Sequence, residues 1–358
     1  MRYIFKTHHR QDLQLFRDGF EASWFLLLGA ALLVAPFVLG NYALSLLSFI
    51  FIYSIVGFGL MLLTGFTGQM SLGHAAFFAV GAYTEAVLQA RGWPFVASAP
   101  SAILLAAAAG IVIGLPALRL TGIYLAIATM SFNFIVEEAL ARWESVTGGN
   151  AGMAVPRIKL VTESLPAGVP MYMLCLVCVV AVGLVVRNLL RSPSGRAFIA
   201  IRDSEVSAQS MGVNLAYYKT RSFAISAGIT GLAGALYAHQ IKFLGPDQFT
   251  LLVSVEFLMM VVIGGMGSLH GAVLGAVFMI GLPELISRVK VLLPSAIADQ
   301  TGLNAVVFGV LTVLFVLFEP LGLFGRWVKI RTWFSLFPAY RKGMFKRQKS
   351  YAKSERLA

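Results

Sequence analysis

Long uninterrupted apolar runs recur along this chain, and nothing constrains its fold more. About 20 apolar residues is the length that carries a helix across the hydrocarbon core of a bilayer. Such runs are read at roughly 24–40, 43–64, 73–90, 96–118, 122–141, 170–190, 222–243, 252–265, 269–287 and 303–320. The eighth is short, and its Gly264–Gly265 pair marks a candidate break or re-entrant turn. Only 12% of the residues are charged, half the roughly 25% of a soluble domain. The expected fold is therefore an all-α polytopic membrane protein of about ten transmembrane helices, or eight to ten with re-entrant segments. The opening MRYIFKTHHRQDLQLFRDGFE is too polar for the apolar core of a signal peptide, so the first span is expected to stay as an anchor.

The formal charge of +12 would by itself fit a nucleic-acid partner. That reading is excluded because the basic residues sit in loops and tails between apolar spans, where lipid headgroups and the positive-inside rule account for them. With ten spans, 21 of the 28 Lys and Arg fall on one side: the N-terminal arm, Arg119, the loop around 191–221 and the tail after 325. That side is expected to be cytoplasmic, with both termini on it. The chain divides into a basic arm (1–23), a transmembrane domain (24–325) containing the loop 191–221, and a basic tail (326–358). Cys175 and Cys178 lie in an apolar run with no polar context and read as small apolar filler.

One polar stretch interrupts this pattern, GRAFIAIRDSEVSAQSMGVNLAYYKTR at 195–221. Asp203 or Ser204 can cap a helix N-terminus, Glu205 falls in its favourable first turn, and Gly212 suits the left-handed residue that ends it. Two turns are too short to span a membrane and too short to be stable alone. The helix must dock, either on lipid headgroups or as a knob presented to a cytoplasmic partner.

The residues from Glu205 to Gly212 resemble the E-A-A-x-x-x-G loop of ABC importer permeases. Further segments carry the likeness: GLMLLTGFTGQMSLGHAAFFAVGAY (59–83), LRLTGIYLAIATMSF (118–132), SVTGGNAGM (145–153), VEFLMMVVIGGMGSLHGAVLGA (255–276) and FEPLGLFG (318–325). Together they resemble the LivM-type permeases of branched-chain amino acid ABC importers, over about residues 43–325. The resemblance implies the ABC importer permease fold and a site in a bacterial inner membrane. It also implies a second permease chain of the same family, two cytoplasmic ATPase subunits and an extracytoplasmic solute-binding protein. Arg202, Asp203, Glu205, Ala208 and Gly212 are its expected ATPase-coupling residues. The chain has no G-x-x-x-x-G-K-[ST] phosphate loop, so no cofactor is expected on it, and ATP and magnesium are expected on the partner subunits.

For the route itself, TGFTGQMSLGH (64–74) combines Gly65, Gly68, Gln69, Ser71 and His74 in a membrane segment. It reads either as an unwound pathway or gating element or as a turn followed by close packing through small residues. Gly264 and Gly265 are a second candidate of this kind. Among the acids near span interiors, Glu85, Glu256 and Glu284, the best placed for a bundle-facing contact is Glu256, with a packing role as its alternative. His74, His239 and His270 lack partners at metal spacing and read as hydrogen-bonded histidines. Tyr124 and Asn133 either line a route for a zwitterion or join helices. The thin supply of buried carboxylates argues against a proton-driven secondary transporter, and no cluster of catalytic residues supports a membrane enzyme. Urea, short amides or other amino acids are alternative solutes within the same family.

Overall fold

The computed structural model describes residues 19–118, 120, 122–156, 158, 168–290, 303–319 and 322–336. Helices dominate, each expected apolar run forming one: α1 (Gly19–Val38), α2 (Asn41–Leu60), α3 (His74–Ala90), α4 (Phe95–Ala117), α5 (Ile123–Arg142) and α6 (Val169–Arg191). The polar interruption folds as α7 (Pro193–Asp203) and α8 (Glu205–Ser210). Then come α9 (Leu215–Ile241), α10 (Leu251–Gly264), α11 (Leu269–Lys290), α12 (Leu303–Phe318) and α13 (Gly322–Leu336). Among the described residues six helices are long and apolar enough to cross a membrane, and shorter apolar helices stand beside them. Preceded by the 3-10 turn Pro246–Phe249, α10 completes a 19-residue span, and Gly264–Gly265 is where it turns into α11. A two-residue antiparallel ladder, β1 (Met153–Ala154) with β2 (Phe243–Leu244), closes the end of α9 remote from α8.

The axis of the bundle is α9, which lies against α2, α3 and α4. Its 27 residues reach about 40 Å at the helical rise, more than the hydrocarbon thickness. Lipid tails are as apolar as leucine, so helices in a membrane associate through close van der Waals packing of small residues. α9 has them in Ala227, Gly228, Gly231, Ala233, Gly234, Ala235 and Ala238. The tightest approach is to α3: a Cβ on Gly81 would strike the backbone of Gly231, and one on Gly234 would strike the Phe78 carbonyl. Around this centre Phe78, Tyr237, Phe249 and Phe257 pack their rings together with centroids 4.9–6.2 Å apart.

The acid that this packing buries is Glu85 and not Glu256. Glu256 lies on the exposed side of α10, because Ser254, Phe257 and Met260 take that helix's inward positions. Glu85 is fully buried. Its carboxylate accepts from Ser98 Oγ at 2.7 Å and pairs with His239 Nε2 at 2.9 Å, joining α3, α4 and α9 at the β-ladder end.

Two outcomes test this account. Gly81→Leu is expected to drive α3 from α9, at a cost of at least about 1–3 kcal/mol as overpacking. It should lose the monodisperse peak in detergent chromatography that Gly29→Leu, facing open space, retains. Glu85→Ala strands the His239 donor, while Ser98 can still turn to the Pro94 carbonyl, and is expected to destabilise by about 1–3 kcal/mol. Glu256→Ala should stay within about 0.5 kcal/mol of the parent. Equal losses in the two acid variants would reverse the assignment.

Candidate functional site

α2 does not end as an ordinary helix. Over Met61–Phe66 its backbone widens into π-helical turns, a rare geometry that concentrates at functional sites. Residues 68–73 leave the helix altogether, and α3 starts at His74. Thr67, Gln69, Ser71 and His74 are nonetheless buried. Ser222 and Ser226, which hold this segment, stand about 10 and 16 Å along α9 from its start at the helical rise. Buried and exposed residues thus alternate along the unwound segment, with Gly68 and Met70 exposed and the polar side chains around them turned into the bundle.

Its polar groups are met from three helices. The Leu72 amide donates to Thr129 Oγ1 on α5 at 2.9 Å, and the Ala75 amide to Ser254 Oγ on α10 at 2.8 Å. Asn133 on α5 accepts from Ser254 Oγ at 3.3 Å and donates to the Phe249 carbonyl at 3.4 Å. Gln69 Nε2 donates to Ser222 Oγ at 3.1 Å. Ser226 gives its proton to the Gly59 carbonyl at 2.7 Å. His74 Nε2, 2.9 Å from the same hydroxyl, is then the donor, and His74 Nδ1 accepts from Ser71 at 3.0 Å. His74 is a neutral structural imidazole in this network.

The polar loop docks beside this break. Ser204, rather than Asp203, caps α8 by accepting from the Ser207 amide at 3.2 Å. Gly212 ends the turn at φ 84, a left-handed value that costs glycine nothing. Glu205 pairs at 2.6 Å with Lys219 of α9, a lysine only 3% exposed. Arg221 reaches Ser194 of α7 at 3.1 Å. Ala208 is buried, whereas Val206 and Met211 are 80% and 85% exposed, so the short helix presents apolar side chains outward.

Arg202 joins the loop to the break. Its Nη1 donates to the Gly65 carbonyl at 3.0 Å, and its Nε and Nη2 meet Asp203 at 3.2 Å. Gly68, at φ 75, lies under the Arg202 backbone and side chain, so that a Cβ there would come within 3.1–3.5 Å. On the other side the Gly267 amide, in the turn from α10 to α11, donates to Met61 Sδ at 3.1 Å. Three segments remote in sequence therefore meet at Gly65: the break, the loop and the turn that follows Gly264 and Gly265.

The remaining candidates separate. Tyr124 is 72% exposed and Asn133 fully buried, so the two stand on different faces of α5. His270 stacks on Phe324 with ring centroids 5.8 Å apart. Cys175 is a buried free thiol and Cys178 a partly buried one. Sequence reasoning missed Thr129, Lys219, Ser222, Ser226, Ser254, Met61 and Gly267. A signal for part of the set is present: Ser222, Ser226 and Thr230 recur every four residues and so form one polar stripe along α9.

Residues 42–316 match the family of permease components of branched-chain amino acid transport systems. The chain is 34% identical over 334 residues to the LivM high-affinity branched-chain amino acid permease proteins of Salmonella typhimurium and Escherichia coli, covering 86% of this chain and 76% of each relative. A probable LivM protein of Methanocaldococcus jannaschii is 27% identical over 62% of this chain and 67% of its own length. No solved structure matches. With apolar helices that pack through small residues, a family match over residues 42–316 and 34% identity across 86% of its length, this chain belongs to the family of multi-pass permease components of branched-chain amino acid transport systems.

Proposed function

We propose that this chain is one of two permease subunits of an ATP-driven importer in a bacterial inner membrane, carrying branched-chain amino acids inward. Both termini and the α7–α8 loop face the cytoplasm. Its companions are a second permease chain of the same family, two cytoplasmic ABC ATPase subunits that bind ATP and magnesium, an extracytoplasmic solute-binding protein and the surrounding lipid. The observation that carries the reading is the build of α8. A six-residue helix is far below the length that is stable alone, yet this one is braced by Glu205–Lys219 while Val206 and Met211 point away from the chain. Apolar side chains on the tip of a braced polar helix suit a groove in a partner.

Nucleotide binding can bias the permease only through different contacts in two states. ATPase closure presses on α8, and Lys219 passes the load to α9. Arg202 passes it to the Gly65 carbonyl and the break, and from there Thr129 hands it to α5. The 34% identical relatives support branched-chain amino acids as the solute. Likeness also extends, at 29% identity over 43% of the chain, to a permease named for autoinducer 2 import from an Enterobacter strain. The scaffold alone therefore does not dictate what is carried.

Proteoliposomes containing the permease pair, the ATPases and the binding protein are expected to accumulate labelled leucine only with ATP inside the coupling compartment. Accumulation without nucleotide would overturn the reading, and uptake of urea in place of leucine would change the solute. In the same system Arg202→Ala should cut leucine uptake about tenfold, the factor for a lost charge-assisted hydrogen bond of about 1.5 kcal/mol. ATP hydrolysis should persist in that variant, because the α8 contact is intact. Gly212→Val places a β-branched residue at a left-handed position, strained by at least about 1–2 kcal/mol. It should lower both hydrolysis and uptake while the chain still inserts. Normal coupled uptake in either variant would count against this line of transmission.

A further inference from the structure

We infer that the outward stripe of α5 is this chain's wall of the solute route, with Ser131 at its middle; the inference rests on the importer reading above. A helix that faces lipid should be the more apolar the less of it is buried in its own chain. α6 obeys this, being the most apolar of the six long spans while largely open. α5 breaks it: among those spans it is the least buried and also the least apolar. Part of that polarity is the buried Thr129 and Asn133, but the open side also carries Tyr124, Ser131, Glu138 and Arg142 among its isoleucines, whereas Val177, Val180, Leu184 and Val185 make the open side of α6 apolar.

The exposed residues Tyr124, Ile127, Ser131, Ile135, Glu138 and Arg142 follow one another at spacings of three or four, which places them on a single face. Two hydroxyls alternate along this face with branched apolar side chains. Ser131 Oγ donates only to the Ile127 carbonyl of its own turn, at 3.0 Å, and keeps its lone pairs toward the open side. Glu138 and Arg142 form an exposed ion pair at the β-ladder end, the end remote from α8. Beside it runs an open groove that Phe134 and Glu137 also line, and Glu137 Oε2 is buried there without a hydrogen-bond partner.

This combination suits a zwitterion with a branched apolar side chain. Carboxylate and guanidinium at the mouth receive its ammonium and carboxylate, hydroxyls take over their hydration further in, and isoleucines accept the side chain. Each contact is single and exposed, so hold is weak and passage is possible. The opposite face of α5 is pinned to the break by Thr129, and to the Phe249 carbonyl and Ser254 by Asn133. A shift of the segment that Arg202 touches would therefore move this wall.

Cysteine accessibility tests the assignment in the assembled importer in membranes, with Cys175 and Cys178 replaced by alanine. Ser131→Cys is compared with Val177→Cys on the open face of α6, 64% exposed in the chain, using a positively charged methanethiosulfonate reagent and a mass-shift readout. Ser131→Cys is expected to react at least about tenfold faster, the factor for each unit by which apolar surroundings raise a thiol pKa. Saturating leucine should slow it. Protection by urea and not by leucine would uphold the wall and overturn the branched-chain assignment. Equal rates at the two positions would overturn the wall whatever uptake shows, and labelling slowed by neither solute would overturn contact with the solute.

Discussion

Inside a bilayer an unpaired peptide group has no water to turn to, and each one left unsatisfied costs several kcal/mol. The rest of this structure is arranged around that cost at one place, the break between Phe66 and His74. A helix that continued through would satisfy itself and leave nothing to move. A helix that stops must borrow partners, and it borrows Thr129 from α5, Ser222 and Ser226 from α9 and Ser254 from α10. Each loan fixes the height and rotation of the lending helix, so three spans become registered to one irregular segment.

The polar loop uses the same economy. Its carbonyl partner at Gly65 is available to Arg202 because π-helical turns and the following break release acceptors that an α-helix would have consumed. Buried Lys219 has Glu205 2.6 Å away as its partner, and removing that carboxylate would strand the lysine. The loop is thereby held to the bundle by charge at two points while its apolar tip remains open. In the proposed importer, coupling would then need no long wire, only a rigid loop with one contact to α9 and one to the break.

Much of this was legible from residues. The ten apolar runs became ten helices because runs of that length admit little else, and the Ser204–Gly212 pattern became a capped turn because capping is local chemistry. Glu256 misled for a physical reason: the apolar residues around it cover the whole circumference of α10, so periodicity says nothing about which side faces inward. Glu85 in α3 was equally visible, and only its meeting with His239, 154 positions away, distinguished it. Asn133 and Tyr124 share a helix, and which of their two faces turns inward is settled only where the break meets Thr129.

What the sequence by itself determined is whatever depends on neighbours within a few residues: the apolar lengths that make spans, the serine and glycine that bound α8, and the glycines, threonine and serine that forbid a regular helix at 64–74. Tertiary structure decided which helices supply partners to that segment, which acid is buried, and that Arg202, Gly65 and Gly267 meet. Those outcomes turn on the rotation and height of packed helices. Because lipid and protein interior are equally apolar, hydrophobicity leaves rotation open, and close packing through small residues and the partners of broken backbone settle it.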